Sequence, residues 1–264
     1  MPVIVPPPFG SLGNPYKTTA VFFDGTQDRL KADAVGSNFM SDSTIVTFGG
    51  WFRSHSDGGT GETLVQQGNN TFLITKTGTS NDVIAVAING PISSIGLLSS
   101  ASSTITLKVA DDWVWIGLSF DSSNPDACWI CKNDEIQQIN SSGSSQLISF
   151  HTGTNAESGF AIAARTNSTA VAKMDTDVAD IWYAPEQLLN FSSVSNRRKF
   201  VDANGKPVFL GANGQRPTGS QPYLFLKGNA SSFPINKGSI PITLDTSTLV
   251  GNGTIEDSTT SPSD

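Results

Sequence analysis

The chain has 264 residues, of which 37% are hydrophobic and 15% charged, and a formal net charge of −7. That is enough apolar material for a core and too little charge for a disordered chain. The acidity disfavours nucleic acid and anionic membrane surfaces as partners, and no apolar run approaches the ~20 residues that span a bilayer.

Residues 1–18, beginning MPVIVPPPFGSLGNP, are rich in Pro and Gly and read as an extended arm. They lack a basic n-region, so no secretory signal peptide is expected. AVFFDGTQDRL (20–30) reads as strand, turn, strand, and STIVTFGGWFRS (43–54) as a buried strand. ETLVQQGNNTFLITKTG (62–78) has a hairpin signal at Gly68-Asn69-Asn70, and NDVIAVAING (81–90) gives another strand. In SSTITLKVA (102–110) the alternation puts Ile105, Leu107 and Val109 on one face.

DDWVWIGLSFDSSNPDACWICKNDEIQQI (111–139) reads as a hairpin. Val114, Ile116, Leu118 and Phe120 face one way and Trp113 and Trp115 the other. GFAIAART (159–166) and AVAKMDTDVADIWYAP (170–185) add two strands. No helical periodicity precedes Pro185, and short strands between turn signals predict an all-β sandwich. After Glu186, PEQLLNFSS and SVSNRRKF each suit a turn or two of helix. PYLFLKG (222–228) and SIPITLD (239–245) suit short strands, and EDSTTSPSD suits a frayed tail. Residues 186–264 hold too little apolar material to stand alone, so they are expected to dock on the sandwich or on a neighbour. Their deletion is expected to leave the sandwich folded.

These segments resemble the concanavalin A-like, laminin-G-type jelly roll. The likeness rests on Phe23-Asp24-Gly25, then FGGWFR, then WVWIGLSFD with its partner CWICKND, and AIAARTNSTAVAKMDTDVADIWYAP at the end, over about residues 20–185. Asp134-Glu135 stands where the family has Gly in the second hairpin turn. Residues 186–264, with NRRKFVDANGKPVFLGANGQRPTG (196–219), PYLFLKG and FPINKGS, resemble a module at the C-terminal ends of tailed-bacteriophage virion proteins. The resemblance implies three parts: an arm (1–18), a laminin-G-like jelly roll (19–185) and a docking module with tail (186–264).

The candidate chemistry is thin. Cys128 and Cys131, with His55 and His151, would supply zinc ligands only from distant segments and without a second CxxC, so they read as small apolar strand residues and surface histidines. No GxSxG elbow, GxGxxG or P-loop occurs. Asp175, Asp177 and Asp180 have the spacing of the Glu-x-Asp-x-x-Glu strand of concanavalin A-like glucanases. Asp is one methylene shorter than Glu, which disturbs the carboxyl separation of about 5–5.5 Å that retention needs. Oxygen ligands suited to calcium are plentiful in SHSDGGTGE (54–62) and DSSNPD (121–126). Aspartate in such turns serves the turn itself, and no metal or other cofactor is expected.

Trp113, Trp115 and Trp129 are the candidates for stacking on a glycan, against the ordinary role of strand aromatics as core. Arg197, Arg198, Lys199 and Phe200 are expected to form a partner interface. The resulting expectation is a non-enzymatic virion structural protein, located in the head or tail. It would be made in a bacterial cytoplasm and bound to other virion proteins, as a homo-oligomer within the assembly. The alternatives are an adhesin for host polysaccharide and a glucanase-like hydrolase.

Overall fold

The computed structural model describes residues 16–26, 28–32, 43–58, 61–67, 72–77, 82–89, 96–98, 104–139, 160–164, 172–245 and 255–264. The strands among them are β1 (Val21–Asp24), β2 (Leu30–Ala32), β3 (Ile45–Ser54), β4 (Glu62–Gln67), β5 (Phe72–Lys76), β6 (Ile84–Asn89), β7 (Gly96–Leu98), β8 (Val114–Asp121), β9 (Trp129–Lys132), β10 (Glu135–Gln138), β11 (Phe160–Ile162), β12 (Asp175–Pro185), β13 (Leu224–Leu226) and β14 (Glu256–Asp257). A 3-10 turn spans Pro125–Ala127, and a single helical turn, α1, spans Val194–Arg197.

Two antiparallel sheets form. One has the order β10-β9-β8-β3-β12-β1-β14 with β13 on β12, and the other β2-β11-β4-β5-β6-β7. Period-2 alternation divides the long strands between two apolar clusters. Val46, Phe48 and Phe52 of β3, Ile116, Leu118 and Phe120 of β8, and Val178, Ile181 and Tyr183 of β12 face the second sheet. Trp51, Trp115, Ala179 and Trp182 face outward, into a separate cluster with Leu189, Phe191, Phe200, Val201, Leu210 and Phe225. The central strands are therefore buried on both faces. Their near-continuous apolar reading, unusual for an antiparallel sheet, follows from that.

The outer cluster is built around one indole. Gly49 of β3 pairs with Gly117 of β8, and a Cβ on either would fall within 2.9 Å of the Trp115 ring. The two glycines thus form a flat floor on which Trp115 lies. Phe200 stacks on it at 5.2 Å, and Phe191 meets it edge-on at 5.1 Å.

The C-terminal region differs from expectation in three ways, each with a local cause. PEQLLNFSS forms no helix, because the N–H groups of Leu189 and Phe191 are taken by Thr47 Oγ1 and Ser119 Oγ of the sheet. SIPITLD makes isolated bridges, Ile235 with Thr243 and Lys31 with Asp245, and no strand. The tail is not frayed: β14 pairs with β1, and Ser263 Oγ accepts from the Thr18 N–H. Upstream, the described part of SSTITLKVA, residues 104–110, makes an isolated bridge, Thr106 with Val83, and no strand. Ile105 and Leu107 enter the core, but a turn closed by Asp111 N–H on Lys108 O leaves Val109 47% exposed.

β13 lies in the main sheet and the cover buries Trp115 and Trp182, so the described residues of 186–264 dock on the sandwich, as expected. Residues 1–15 of the proposed arm lie outside the described residues.

Candidate functional site

The outer face of the eight-stranded sheet is apolar at its middle and polar at one end. Along one row, Phe22 of β1 pairs with Asp177 of β12, and Asp177 pairs with Arg53 of β3. Trp113 directly precedes the Phe52–Val114 pair, so it lies next in the row. Asp177 is 3% exposed. Its Oδ2 is 2.8 Å from His55 Nε2 and 3.7 Å from Arg53 Nη1. The Arg53 Nη1 group donates to Thr260 Oγ1 at 2.7 Å, and its Nε is 3.7 Å from Asp112 Oδ1. The Trp113 indole N–H donates to the same Thr260 hydroxyl at 3.2 Å.

A cavity of about 140 Å³ opens over this row, lined by Arg53, Asp112, Trp113, Lys206, Thr260 and Asp264 among others. Lys206 Nζ donates to the Asp264 backbone oxygen. On the other side of the tail, Lys17–Ala20, Asn229 and Asp257–Ser261 line a wider hollow of about 310 Å³. The tail is the ridge between them. An indole, a guanidinium, a carboxylate and hydroxyls around a small opening suit a neutral polyol: the ring covers a C–H face, and the charged groups pair with hydroxyls.

The expected sites fall as follows. Trp115 is 1% exposed and cannot stack on a sugar. Trp113 is half-buried at the cavity, and Trp129, also half-buried, donates its indole N–H to Asp126 O at 3.0 Å, on β9. Of the residues expected at a partner interface, Phe200 and Arg197 are buried, with Phe200 in the outer cluster beside Trp115. Arg197 is 4% exposed, and its Nη1 donates to the Phe191 and Ser192 carbonyls, satisfying loop oxygens that the sheet cannot reach. Arg198 makes a bidentate pair with Asp134, 2.7 Å at each contact, which holds that carboxyl below its usual range. Lys199 is half-buried.

Asp175, Asp177 and Asp180 do share the outer face. A bulge between Ala179 and Trp182 inserts one residue, and Asp180 takes it with φ +48°. Asp180 is 2% exposed and accepts from the Tyr16 hydroxyl at 2.8 Å; burial pushes its pKa up to about 6. Burial, and then Asp180, push the Tyr16 phenol above its ordinary range. With Tyr16 seated, no substrate reaches Asp180. Cys128 and Cys131 are both buried and lie in the inner and outer clusters respectively, so they do not face a common ion. His151 lies outside the described residues.

Sequence reasoning missed Arg53, Asp112, Lys206, Thr260 and Asp264. Arg53 had a signal, being in phase with the outward Trp51 of its strand. The others come from turns and the tail, where no periodicity operates.

No known protein family matches the sequence, and no curated protein does. The fold has counterparts among solved structures. A putative carbohydrate binding protein from Bacteroides ovatus is 14% identical with a TM-score of 0.57, over 94% of this chain. The chain spans 62% of that protein's length. The heptameric SAP-like pentraxin of Limulus polyphemus is 13% identical with a TM-score of 0.51, over 92% of this chain and 96% of the pentraxin. Mouse laminin α1 domains LG4-5 are 9% identical with a TM-score of 0.42, over 71% of this chain and 48% of theirs. By its two-sheet antiparallel architecture and the first two of these counterparts, the chain is an all-β sandwich of the concanavalin A-like jelly-roll class.

Proposed function

We propose that the chain is a non-enzymatic structural protein of a tailed-phage virion. One observation supports this reading above others. Residues 186–264 resemble a C-terminal module of virion proteins, and their described part forms a close-packed cover on a jelly roll. A body with both faces of its central strands closed is rigid and presents few open backbone groups to proteases. In this reading the protein binds other virion proteins as one of many copies. Mass spectrometry and imaging of purified particles test it: the chain is expected among the particle proteins, and its absence from them overturns the reading.

A second reading, carbohydrate recognition, is favoured by the cavity at Trp113. The fold similarity to a protein described as carbohydrate binding agrees with it. Binding of the intact protein to a panel of host polysaccharides is the test, with Trp113→Ala and Asp112→Ala as variants. Asp112 is 89% exposed at its side chain, so its replacement leaves the fold intact. Wild-type binding lost in both variants supports the site, whereas wild-type binding unchanged in both, or no wild-type binding at all, removes it.

A further inference from the structure

Ser54, Ser56 and Glu62, from the oxygen-rich segment SHSDGGTGE, surround a group supplied by the protein itself. The Lys76 side chain, at the end of β5, is 1% exposed. Its ammonium lies 2.9 Å from Ser54 Oγ, 2.6 Å from the Ser56 carbonyl and 3.5 Å from Ser56 Oγ. Two carboxylates complete the surround, Glu62 Oε1 at 3.3 Å and Asp82 Oδ1 at 3.8 Å. Glu62 is itself tied to the loop by the Ser56 hydroxyl, and Asp82 by the Gly58 N–H at 2.8 Å. The second Glu62 oxygen, Oε2, is buried without a hydrogen-bond partner.

The geometry points to Lys76 acting as a tethered cation: its ammonium occupies an oxygen nest which, once emptied of that side chain, would bind a calcium ion. Six oxygens are within the nest's reach: two from Glu62, one from Asp82, two hydroxyls and a carbonyl. Hard divalent cations take six to eight such ligands. With Lys76 in place the nest carries a net charge of −1, and without it −2, which matches the dication. An ammonium with three donors serves three of these oxygens but leaves Glu62 Oε2 unserved, as a six-coordinate ion would not. The ammonium differs from a bound ion in one respect: it is always present, so the loop at this end of the sandwich keeps its shape in the absence of calcium.

The experiment compares the wild type with Lys76→Ser, which opens the nest, and Lys76→Met, which fills the same volume without charge. Thermal unfolding is followed in chelator and in calcium chloride, and calcium uptake by calorimetry. The wild type is expected to show the same Tm in both and no uptake. Lys76→Ser is expected to lose Tm in chelator, to regain it in calcium, and to bind one ion with a dissociation constant of roughly 0.1–1 mM, in the range of sites on extracellular modules. Lys76→Met is expected to lose Tm in both and to bind no calcium. A folded Lys76→Ser that takes up no calcium overturns the inference, as does a wild type that binds calcium in this nest. If Lys76→Ser folds only when refolded with calcium, the inference stands. If it folds with neither calcium nor methylammonium while Lys76→Met folds normally, Lys76 serves packing and the inference fails.

Discussion

The inner face of the eight-stranded sheet packs on a second sheet, whereas its outer face packs on loops. The inner side chains are many, branched aliphatics such as Val46, Ile116, Leu118 and Val178 interleaved with single rings such as Phe48, Phe52, Phe120 and Tyr183, across the nearly constant gap that a facing sheet keeps. The outer ones are fewer and include the indoles. Loops leave an uneven gap, and Trp51, Trp115 and Trp182 fill it, with glycines beneath and Phe191 and Phe200 above. A loop cover also brings polar backbone that no ladder satisfies. The sheet serves it with single side chains: Thr47 and Ser119 accept from it, and Trp182 donates to the Gly214 carbonyl at 2.8 Å. The outer core should therefore concentrate its stability in few residues, where the inner core spreads it over many.

The largest effect should come from removing the cover. Deleting residues 186–264 strips Trp115 and Trp182 of their packing and takes β13 from the sheet. The product is expected to be insoluble or molten, as judged by size-exclusion chromatography and near-ultraviolet circular dichroism. A monomeric, cooperatively unfolding 1–185 fragment would break the comparison.

Single substitutions grade it next. Trp115→Ala should cost about 3–5 kcal/mol, while Ile116→Val, its neighbour on the inner face, should cost about 0.5–1.5 kcal/mol, both from denaturant unfolding. Similar losses at Trp115 and at an inner aromatic such as Phe48 would show that the outer core is no more concentrated than the inner.

The outer face also carries a buried carboxyl, that of Asp180. Asp180 has its pKa raised by burial from 3.8 to about 6 in the fold. The proton is thus held more tightly folded than unfolded. Its stabilising contribution is complete below about pH 3.8, falls as pH rises through about 6, and is absent above that. Over this window the wild type should lose on the order of 3 kcal/mol from this group. Asp180→Asn keeps an acceptor for Tyr16 and should remove the slope, leaving a variant more stable than the wild type at pH 8 but not at pH 4. Parallel pH profiles for the two proteins would refute this.

The smallest effect should come from the rim of the cover. The Arg198–Asp134 pair is bidentate, yet the Asp134 side chain is 56% exposed. A double-mutant cycle on the two should give roughly 0.2–1 kcal/mol, diminishing with added salt. A larger coupling would mean that the cover is held at its edge as well as its centre.

Much of the fold was legible in the sequence, because the alternation in WVWIGLSF and IVTFGGWFR directly encodes which residue faces which side. It also separated Trp113 and Trp115 from Val114 and Ile116. The candidate site was legible only in Trp113. Its companions Asp112, Lys206, Thr260 and Asp264 lie in a turn and in the C-terminal segments, and what they touch depends on where the chain returns. The tail gave the wrong signal for the same reason. A polar, Ser- and Thr-rich segment reads as solvated, but here its hydroxyls serve Arg53, Trp113 and the Thr18 N–H.

The sequence by itself determined the strands, their two-faced pattern and hence the sandwich, since periodicity is a local property of the chain and burial of alternating faces is what it demands. It offered the outward Trp113 and Trp115 both as glycan-stacking rings and as covered core, without saying what a cover would be. Only the tertiary structure decided what that cover is. NRRKFVDANGKPVFLG supplies it from the same chain, with Phe200 on Trp115, Arg197 capping loop carbonyls and Arg198 pinned to Asp134. Contacts between residues 64 or more positions apart, such as Arg198 with Asp134, carry no periodic signature. They are fixed by shape and by the need to satisfy every buried polar group.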